Sequence, residues 1–280
     1  MIEKAFSTPE EITESYTGIG QKKATRPMLK QLILGILSGA FVAIAAQGSN
    51  VAIHSITSFS LSRILSGALF STGLILVLIA GGELFTGNTL MVIAYIKKKI
   101  TFSSLVRSWS FVYIGNFIGA MIIVLLINAS GQLEISDGML GGFTIAVATK
   151  KVMLPFSNAF ILGILCNWLV CLAVWMASGA QDITGKILAV FFPIWLFVTS
   201  GFEHSIANMY YIPAGIIAKS NPHWVDQAIM HGVTYEQIAN LNWQTFIINN
   251  LIPVTLGNLL GGAVFVGLTY LVAYGKNETK

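Results

Sequence analysis

Charge is what this 280-residue chain has least of. Lysine, arginine, aspartate and glutamate make up 10% of it, whereas 55% is hydrophobic and the mean hydropathy is +0.74. A water-soluble domain carries about a quarter charged residues. The shortage therefore excludes the aqueous enzyme folds, Rossmann, hydrolase and kinase among them, which need a charged exterior. Cysteine is equally scarce. Cys166 and Cys171 cannot build a disulfide scaffold, and neither stands in a C-x-x-C or zinc pattern. No H-E-x-x-H string supplies the clustered ligands of an intramembrane metalloprotease. What remains is an all-α integral membrane protein that is not an enzyme, with no cofactor, metal or nucleic acid expected.

The first residues do not resemble a cleavable signal peptide, because Glu3, Glu10, Glu11, Glu14 and Pro9 interrupt any short apolar core. They carry a helix start instead. Thr8 caps, Pro9 suits the first position, and Glu11 reaches back to the cap. Ile12, Tyr16 and Ile19 follow at helical spacing, which predicts a short amphipathic helix before the membrane, as a partly ordered tail or a regulatory segment.

Crossing the hydrocarbon layer takes about 20 mostly apolar residues. Six segments qualify, at about 29–53, 64–96, 106–129, 157–178, 187–218 and 245–274. The second and fifth are too long for one span. Each is interrupted, by Gly81-Gly82-Glu83-Leu84-Phe85-Thr86-Gly87-Asn88 and by Ser200-Gly201-Phe202-Glu203-His204-Ser205-Ile206-Ala207-Asn208. Irregular backbone at membrane depth is tolerated only where protein or a water-filled cavity surrounds it. Two broken helices are thus expected. With a cytoplasmic N-terminus, twelve basic residues face inward, Lys97, Lys98 and Lys99 among them, and only Arg63, Lys150, Lys151 and Lys219 face outward. The positive-inside rule then places both termini in the cytoplasm.

The halves also echo one another. Gly35-Ile36-Leu37 matches Gly163-Ile164-Leu165. Glu83 and Asn88 match Glu203 and Asn208, and Gly115-Asn116-Phe117-Ile118-Gly119 matches Gly257-Asn258-Leu259-Leu260-Gly261. Three spans per half make the second copy enter upside down, the inverted-repeat design with a substrate path at the repeat interface. The chain divides into an amphipathic helix on 1–28, a six-span domain on 29–274 with halves of about 29–130 and 155–274, and a tail on 275–280.

Ionisable groups at membrane depth mark pathways by default. Three lie deep: Glu83, Glu203 and His204. For the glutamates the favoured reading is structural, each carboxylate accepting from amides that its helix break frees. His204, alone among the histidines at mid-span and standing at a break, is favoured as a pathway residue. His54, His223 and His231 fall at membrane edges or in a loop, where solvation explains them. Cys166, Cys171 and the paired glycines read as packing, and Trp224 and Trp243 as interfacial anchors.

Gly82-Glu83-Leu84-Phe85-Thr86, Leu165-Cys166-Asn167-Trp168-Leu169-Val170-Cys171 and Gly201-Phe202-Glu203-His204-Ser205-Ile206-Ala207-Asn208-Met209 resemble the formate–nitrite transporter family, with landmark spacing closest to its formate channels. The resemblance covers essentially the whole chain. It implies a homopentamer in a prokaryotic plasma membrane, with one aquaporin-like pore per protomer, conducting small weak-acid anions, formate first, together with protons. Leu74, Leu84 and Phe85 would form the cytoplasmic constriction, and Phe70 and Phe197 the periplasmic one. Thr86 would face His204 between them, and the N-terminal helix would lie at the cytoplasmic mouth. Lys151 would stand in the outer vestibule, with Asn167, Asn208 and Glu203 among the polar residues of the path. Nitrite and hydrosulfide channels of the same family are alternatives, as is a proton-coupled transporter for small monocarboxylates. An aquaporin proper would carry two Asn-Pro-Ala turns, and none is present.

Overall fold

Apolar runs interrupted by glycine and asparagine decide where the backbone is helical and where it opens. The computed structural model describes residues 6–275; Lys4, Lys276, Lys280 and all but the first residue of the 275–280 tail lie outside that range. Helix α1 (Pro9–Ala24) leads into α2 (Met28–Ile53), α3 (Phe59–Gly81), the short α4 (Phe85–Ile96) and α5 (Phe102–Ala129). The order recurs as α6 (Met139–Val152), α7 (Phe156–Gly179), α8 (Ile183–Ser200) and the short α9 (Ser205–Ala218). After α10 (Pro222–Met230) and α11 (Tyr235–Ala239) comes α12 (Trp243–Tyr274). Among the described residues six helices are long and apolar enough to cross a membrane. This is a multi-pass membrane protein, with the second and fifth spans broken.

Glycine sets the helix crossings. A Cβ on Gly39 would stand 2.0 Å from the Asn116 carbonyl oxygen, and one on Gly119 2.0 Å from that of Ile36, so α2 and α5 touch backbone to backbone. Helices α7 and α12 repeat the contact, where a Cβ on Gly257 would meet the Phe160 oxygen at 2.1 Å and one on Gly261 the Ile164 oxygen at 2.3 Å. Such crossings are how helices associate where no hydrophobic drive separates protein from lipid. α3 packs on α8 between the two halves.

Helix α1 is no tail. The expected capping box forms, with Glu11 N–H donating to Thr8 Oγ1 and Thr8 N–H to Glu11 Oε2 at 2.8 Å. Ile12 and Tyr16 are buried, Ile19 half-buried. The Tyr16 ring stacks on Trp175 with centroids 5.1 Å apart, and Ser7 N–H donates to the Gly179 oxygen at 2.8 Å.

Helix α6 is absent from the sequence expectations, which leave residues 130–155 as a connection. At 14 residues it is too short to span and too apolar to float, and it lies buried under α9 and α10. A signal for it exists in the sequence. Lys22-Lys23 with Pro27 and Lys150-Lys151 with Pro155 share one spacing, and each pair occupies the last turn of its helix. α6 is therefore the inverted counterpart of α1, and each repeat has four parts rather than three.

Two further expectations are corrected. Trp224 is buried against Gly138 and Gly141 rather than anchored at an interface. The histidines outside the centre are not merely solvated either, because they converge on one turn. His54 Nε2 bonds Ser136 Oγ (2.9 Å), His223 Nε2 bonds the Asp137 oxygen (2.9 Å), and His231 Nε2 bonds the Met139 oxygen (3.3 Å). Ser136, Asp137 and Gly138 all have positive φ (56°, 55° and 76°), a costly run for two non-glycine residues.

Candidate functional site: the two helix breaks

Each break frees backbone groups that must find partners inside the protein. α3 ends on Gly81 at φ +99°, and α8 is capped by Gly201 at φ +76°. The residues that follow hand their amides to the neighbouring helices in the same way in both halves. Glu83 N–H donates to the Leu34 oxygen (3.0 Å), and Glu203 N–H to that of Leu162 (3.3 Å). Phe85 N–H donates to Asn116 Oδ1 (3.0 Å), and Ser205 N–H to Asn258 Oδ1 (2.9 Å). Asn116 Nδ2 then donates to the Gly35 and Glu83 oxygens at 2.8 and 3.0 Å, and Asn258 Nδ2 to those of Gly163 and Glu203 at 2.8 and 3.0 Å. Two buried asparagines thus do the work expected of the glutamates.

The glutamate carboxylates have cations instead. Glu83 accepts from Lys23 Nζ at 2.7 Å and from Arg26 Nη1, which brings the end of α1 onto the first break. Lys23 Nζ also donates to Asn88 Oδ1 at 2.6 Å. Glu203 accepts from Lys151 Nζ at 2.7 Å, from Asn208 Nδ2 at 2.7 Å and from Asn250 Nδ2 at 3.2 Å. A lone carboxylate in an apolar interior is prohibitively costly, so the pairing is what permits these residues at that depth. Lys23 and Lys151 are inverted-repeat equivalents, but Arg26 has none, since Leu154 occupies the matching place. The ion pairs at the two breaks therefore differ by one cation.

Between the breaks, Thr86 Oγ1 and His204 Nε2 are 3.0 Å apart, both buried. His204 also caps α9, its Nδ1 accepting the Ala207 N–H at 3.1 Å. A ring nitrogen that accepts carries no proton, so the neutral ring holds its hydrogen on Nε2 and directs it at Thr86. Behind Thr86, Asn167 Nδ2 donates to the Thr86 oxygen at 3.2 Å and to the Asn258 oxygen at 2.6 Å, while Cys171 Sγ stands 3.3 Å from both the Thr86 oxygen and Thr89 Oγ1. A cavity of about 420 Å³ opens on the Lys151 face and reaches His204 past Phe70 and Phe197, whose rings meet edge-on at 5.8 Å.

The formate/nitrite transporter family profile matches residues 10–272. Formate channel FocA of Escherichia coli is 40% identical over 260 residues, which cover 91% of this chain and 90% of that protein. The transporter YrhG of Bacillus subtilis is 41% identical over 280 residues, covering 98% and 96%. A solved pentameric formate channel with formate bound superposes with a TM-score of 0.81 at 41% identity, over 89% of this chain and 98% of that one. This chain belongs to the formate/nitrite transporter family. It is accordingly a membrane transport protein and not an enzyme.

Within this family member the expected residues fall into three groups. Phe70, Phe197, Lys151, Glu203, His204 and Asn208 line the cavity on the Lys151 face. Thr86 meets His204 at its floor, with Asn167 supporting the Thr86 backbone rather than facing the cavity. Leu74, Leu84 and Phe85 are buried beyond. The Phe85 ring lies edge-on to Tyr113 and Trp109, at 4.8 and 6.4 Å, beside a separate apolar groove between α5 and α12. The sequence marked Asn116 and Asn258 only as repeat landmarks and Cys171 only as packing. Lys23 and Arg26 gave no sign of their partner, because their ion pair joins segments distant in the chain.

Proposed function

We propose that this protein conducts small weak-acid monoanions, formate first among them, through a pore within each protomer of a homopentamer. The relatives named as formate channels, one of them pentameric with formate bound, support this choice. The assembly stands in a prokaryotic plasma membrane with both termini in the cytoplasm, and the Lys151 face is the outer one. Residues 1–28 form the element at the inner mouth, 29–274 the six-span channel domain, and 275–280 a cytoplasmic tail. The observation that carries the reading is the Thr86–His204 contact at the meeting of the two helix breaks.

The physical argument is desolvation. A bare anion between Phe70 and Phe197, or between Leu74, Leu84 and Phe85, would exchange its hydration for apolar walls at a cost of many kcal/mol. A weak acid escapes that cost by accepting a proton, crossing neutral and releasing it. His204 is the donor in its cationic form, and Thr86 orients the acid by hydrogen bonding. The second ring proton must go on Nδ1, where it displaces the Ala207 N–H and costs the α9 cap, about 1 kcal/mol. Ionisation of the ring thus competes with the α9 cap, which favours return of the proton. Lys151 draws anions to the outer mouth, its ammonium held by Glu203, which Asn208 fixes in turn. Formate, nitrite and hydrosulfide all become small neutral molecules on protonation, so uptake of the three into proteoliposomes, with and without a pH gradient, is the deciding experiment. Formate flux that leads the other two and persists without a gradient is expected. Flux that requires the gradient would mean obligatory proton coupling, and no formate flux would overturn the reading.

A further inference from the structure

The cavity on the Lys151 face is lined by three cations, and two are already engaged. Lys151 is ion-paired with Glu203, and Lys150 Nζ donates to the His231 oxygen at 2.9 Å. The third, Arg63, has no carboxylate within ion-pair distance among the described residues. Its guanidinium lies over the Phe59 ring, 5.3 Å from the centroid, a contact that leaves the edge N–H groups open. It also lies against the second break, since a Cβ on Gly201 would stand 2.6 Å from Arg63 Nη2. Local helix electrostatics does not explain Arg63, which falls near the N-terminal end of α3, where a cation is disfavoured.

A second orphan lines the same cavity. Asn50, at the end of α2, is 3% exposed, and its Nδ2 has no hydrogen-bond partner among the described residues. An unsatisfied buried amide costs about 1–3 kcal/mol and calls for an occupant. The helix ends that carry the two residues are tied together, Ser49 Oγ donating to the Ser66 oxygen at 2.9 Å. Among the described residues, an unpaired guanidinium and a buried amide without a partner therefore line a single cavity, together with the Phe70–Phe197 pair.

We propose that Arg63 and Asn50 form a capture subsite for a small planar monocarboxylate, upstream of the aromatic gate. The inference rests on the reading of the pore as a carboxylate path. A guanidinium takes a carboxylate through two parallel N–H bonds, a geometry that a compact anion such as hydrosulfide cannot share. Asn50, whose Nδ2 lacks a partner among the described residues, is a further donor in the wall of the same cavity. The subsite concentrates substrate where Lys151, engaged by Glu203, offers no free fork.

The test is titration of the purified protein with ¹³C-formate, read by line broadening, alongside formate and hydrosulfide flux in proteoliposomes. Arg63→Gln should weaken formate binding about tenfold, the loss of one charge-assisted contact, and raise half-saturating formate by the same factor while maximal flux holds. Asn50→Leu should do so about threefold. Arg63→Lys, which keeps the charge but loses the fork, should weaken formate while leaving hydrosulfide half-saturation unchanged. Parental formate binding in both Arg63→Gln and Asn50→Leu overturns the subsite. So does a loss of maximal flux at unchanged half-saturation, which would make Arg63 a brace for the Gly201 turn. Wild-type protein that binds formate but does not conduct it would sink the pore reading and leave the subsite standing.

Discussion

At the scale of the residue, the proton-donor role proposed for His204 competes with its capping of α9 for one nitrogen. Nδ1 caps α9 while Nε2 faces Thr86, so ionisation for proton transfer and bracing of the helix start exclude each other. His204→Asn keeps polar capping and removes the titratable group. Formate influx from acidic medium should fall about a hundredfold, the scale of a lost acid–base catalyst, while flux at neutral pH changes far less. Equal losses at every pH would reduce His204 to scaffold. Lys151 poses a different question. The sequence alone suggests an electrostatic role outside the gates, for which Lys151→Glu should spare assembly. Its ion pair with the buried Glu203 reverses that expectation. Breaking such a pair costs about 3–5 kcal/mol. Lys151→Glu should therefore melt well below the parent in detergent, and adding Glu203→Lys should recover part of the loss. Unchanged melting of the single variant would show that water reaches the pair and screens it.

At the scale of the element, the broken spans hold because a neighbouring helix completes their backbone bonding. Asn258→Ala would leave the Ser205 N–H and the Glu203 oxygen without the partner that Asn258 gives them, at about 1–3 kcal/mol each, and would remove a second bond to the Gly163 oxygen. Asn116→Ala strips the Phe85 N–H and the Gly35 and Glu83 oxygens in the same way. Similar drops in thermal stability for the two are expected, and a mild effect in either would break the equivalence of the repeats. The turn before α6 offers a pH readout outside the membrane spans. Burial of the His231 ring, with Lys150 nearby, pulls its pKa below the usual histidine value, against the opposing bond to the Met139 oxygen. A histidine depressed in the folded state favours unfolding once pH falls below its ordinary value of about 6.5. Amide exchange at Ser136–Leu140 should therefore quicken between pH 7.5 and 5.5 beyond the intrinsic change, and His231→Gln should flatten that response.

At the scale of the molecule, the inverted repeat is closed by α1 on one face and α6 on the other, each delivering a lysine to a glutamate at a helix break. The faces are not equal, because α1 also delivers Arg26 and packs through Tyr16 on Trp175. Removing both cations with Lys23→Gln and Arg26→Gln leaves Glu83 buried and unpaired. Limited proteolysis should then cut within residues 6–27 much faster than in the parent, while the six-span core stays intact. Undiminished protection would mean that the aromatic stack alone holds α1.

How much of this was legible in advance follows from the range of each interaction. Apolar length, the two interruptions, the Thr8–Glu11 cap and the glycine crossings were readable, because each depends on residues close in sequence or on a periodicity the membrane itself imposes. Glu83, Glu203 and His204 stood out for the same reason, since a charge at membrane depth is conspicuous wherever its partner lies. The partners were not readable. Lys23 to Glu83, Lys151 to Glu203, and Asn258 to the Ser205 amide join segments far apart in the chain. Helix α6 escaped notice because it is too short to span, and the Lys-Lys and Pro spacing it shares with α1 gains meaning only once α6 is seen packed under α9. The sequence by itself determined which residues must be rescued from the membrane, because desolvation acts on each group separately. Only the tertiary structure decided which groups rescue them, because hydrogen bonds and ion pairs are satisfied by proximity in space.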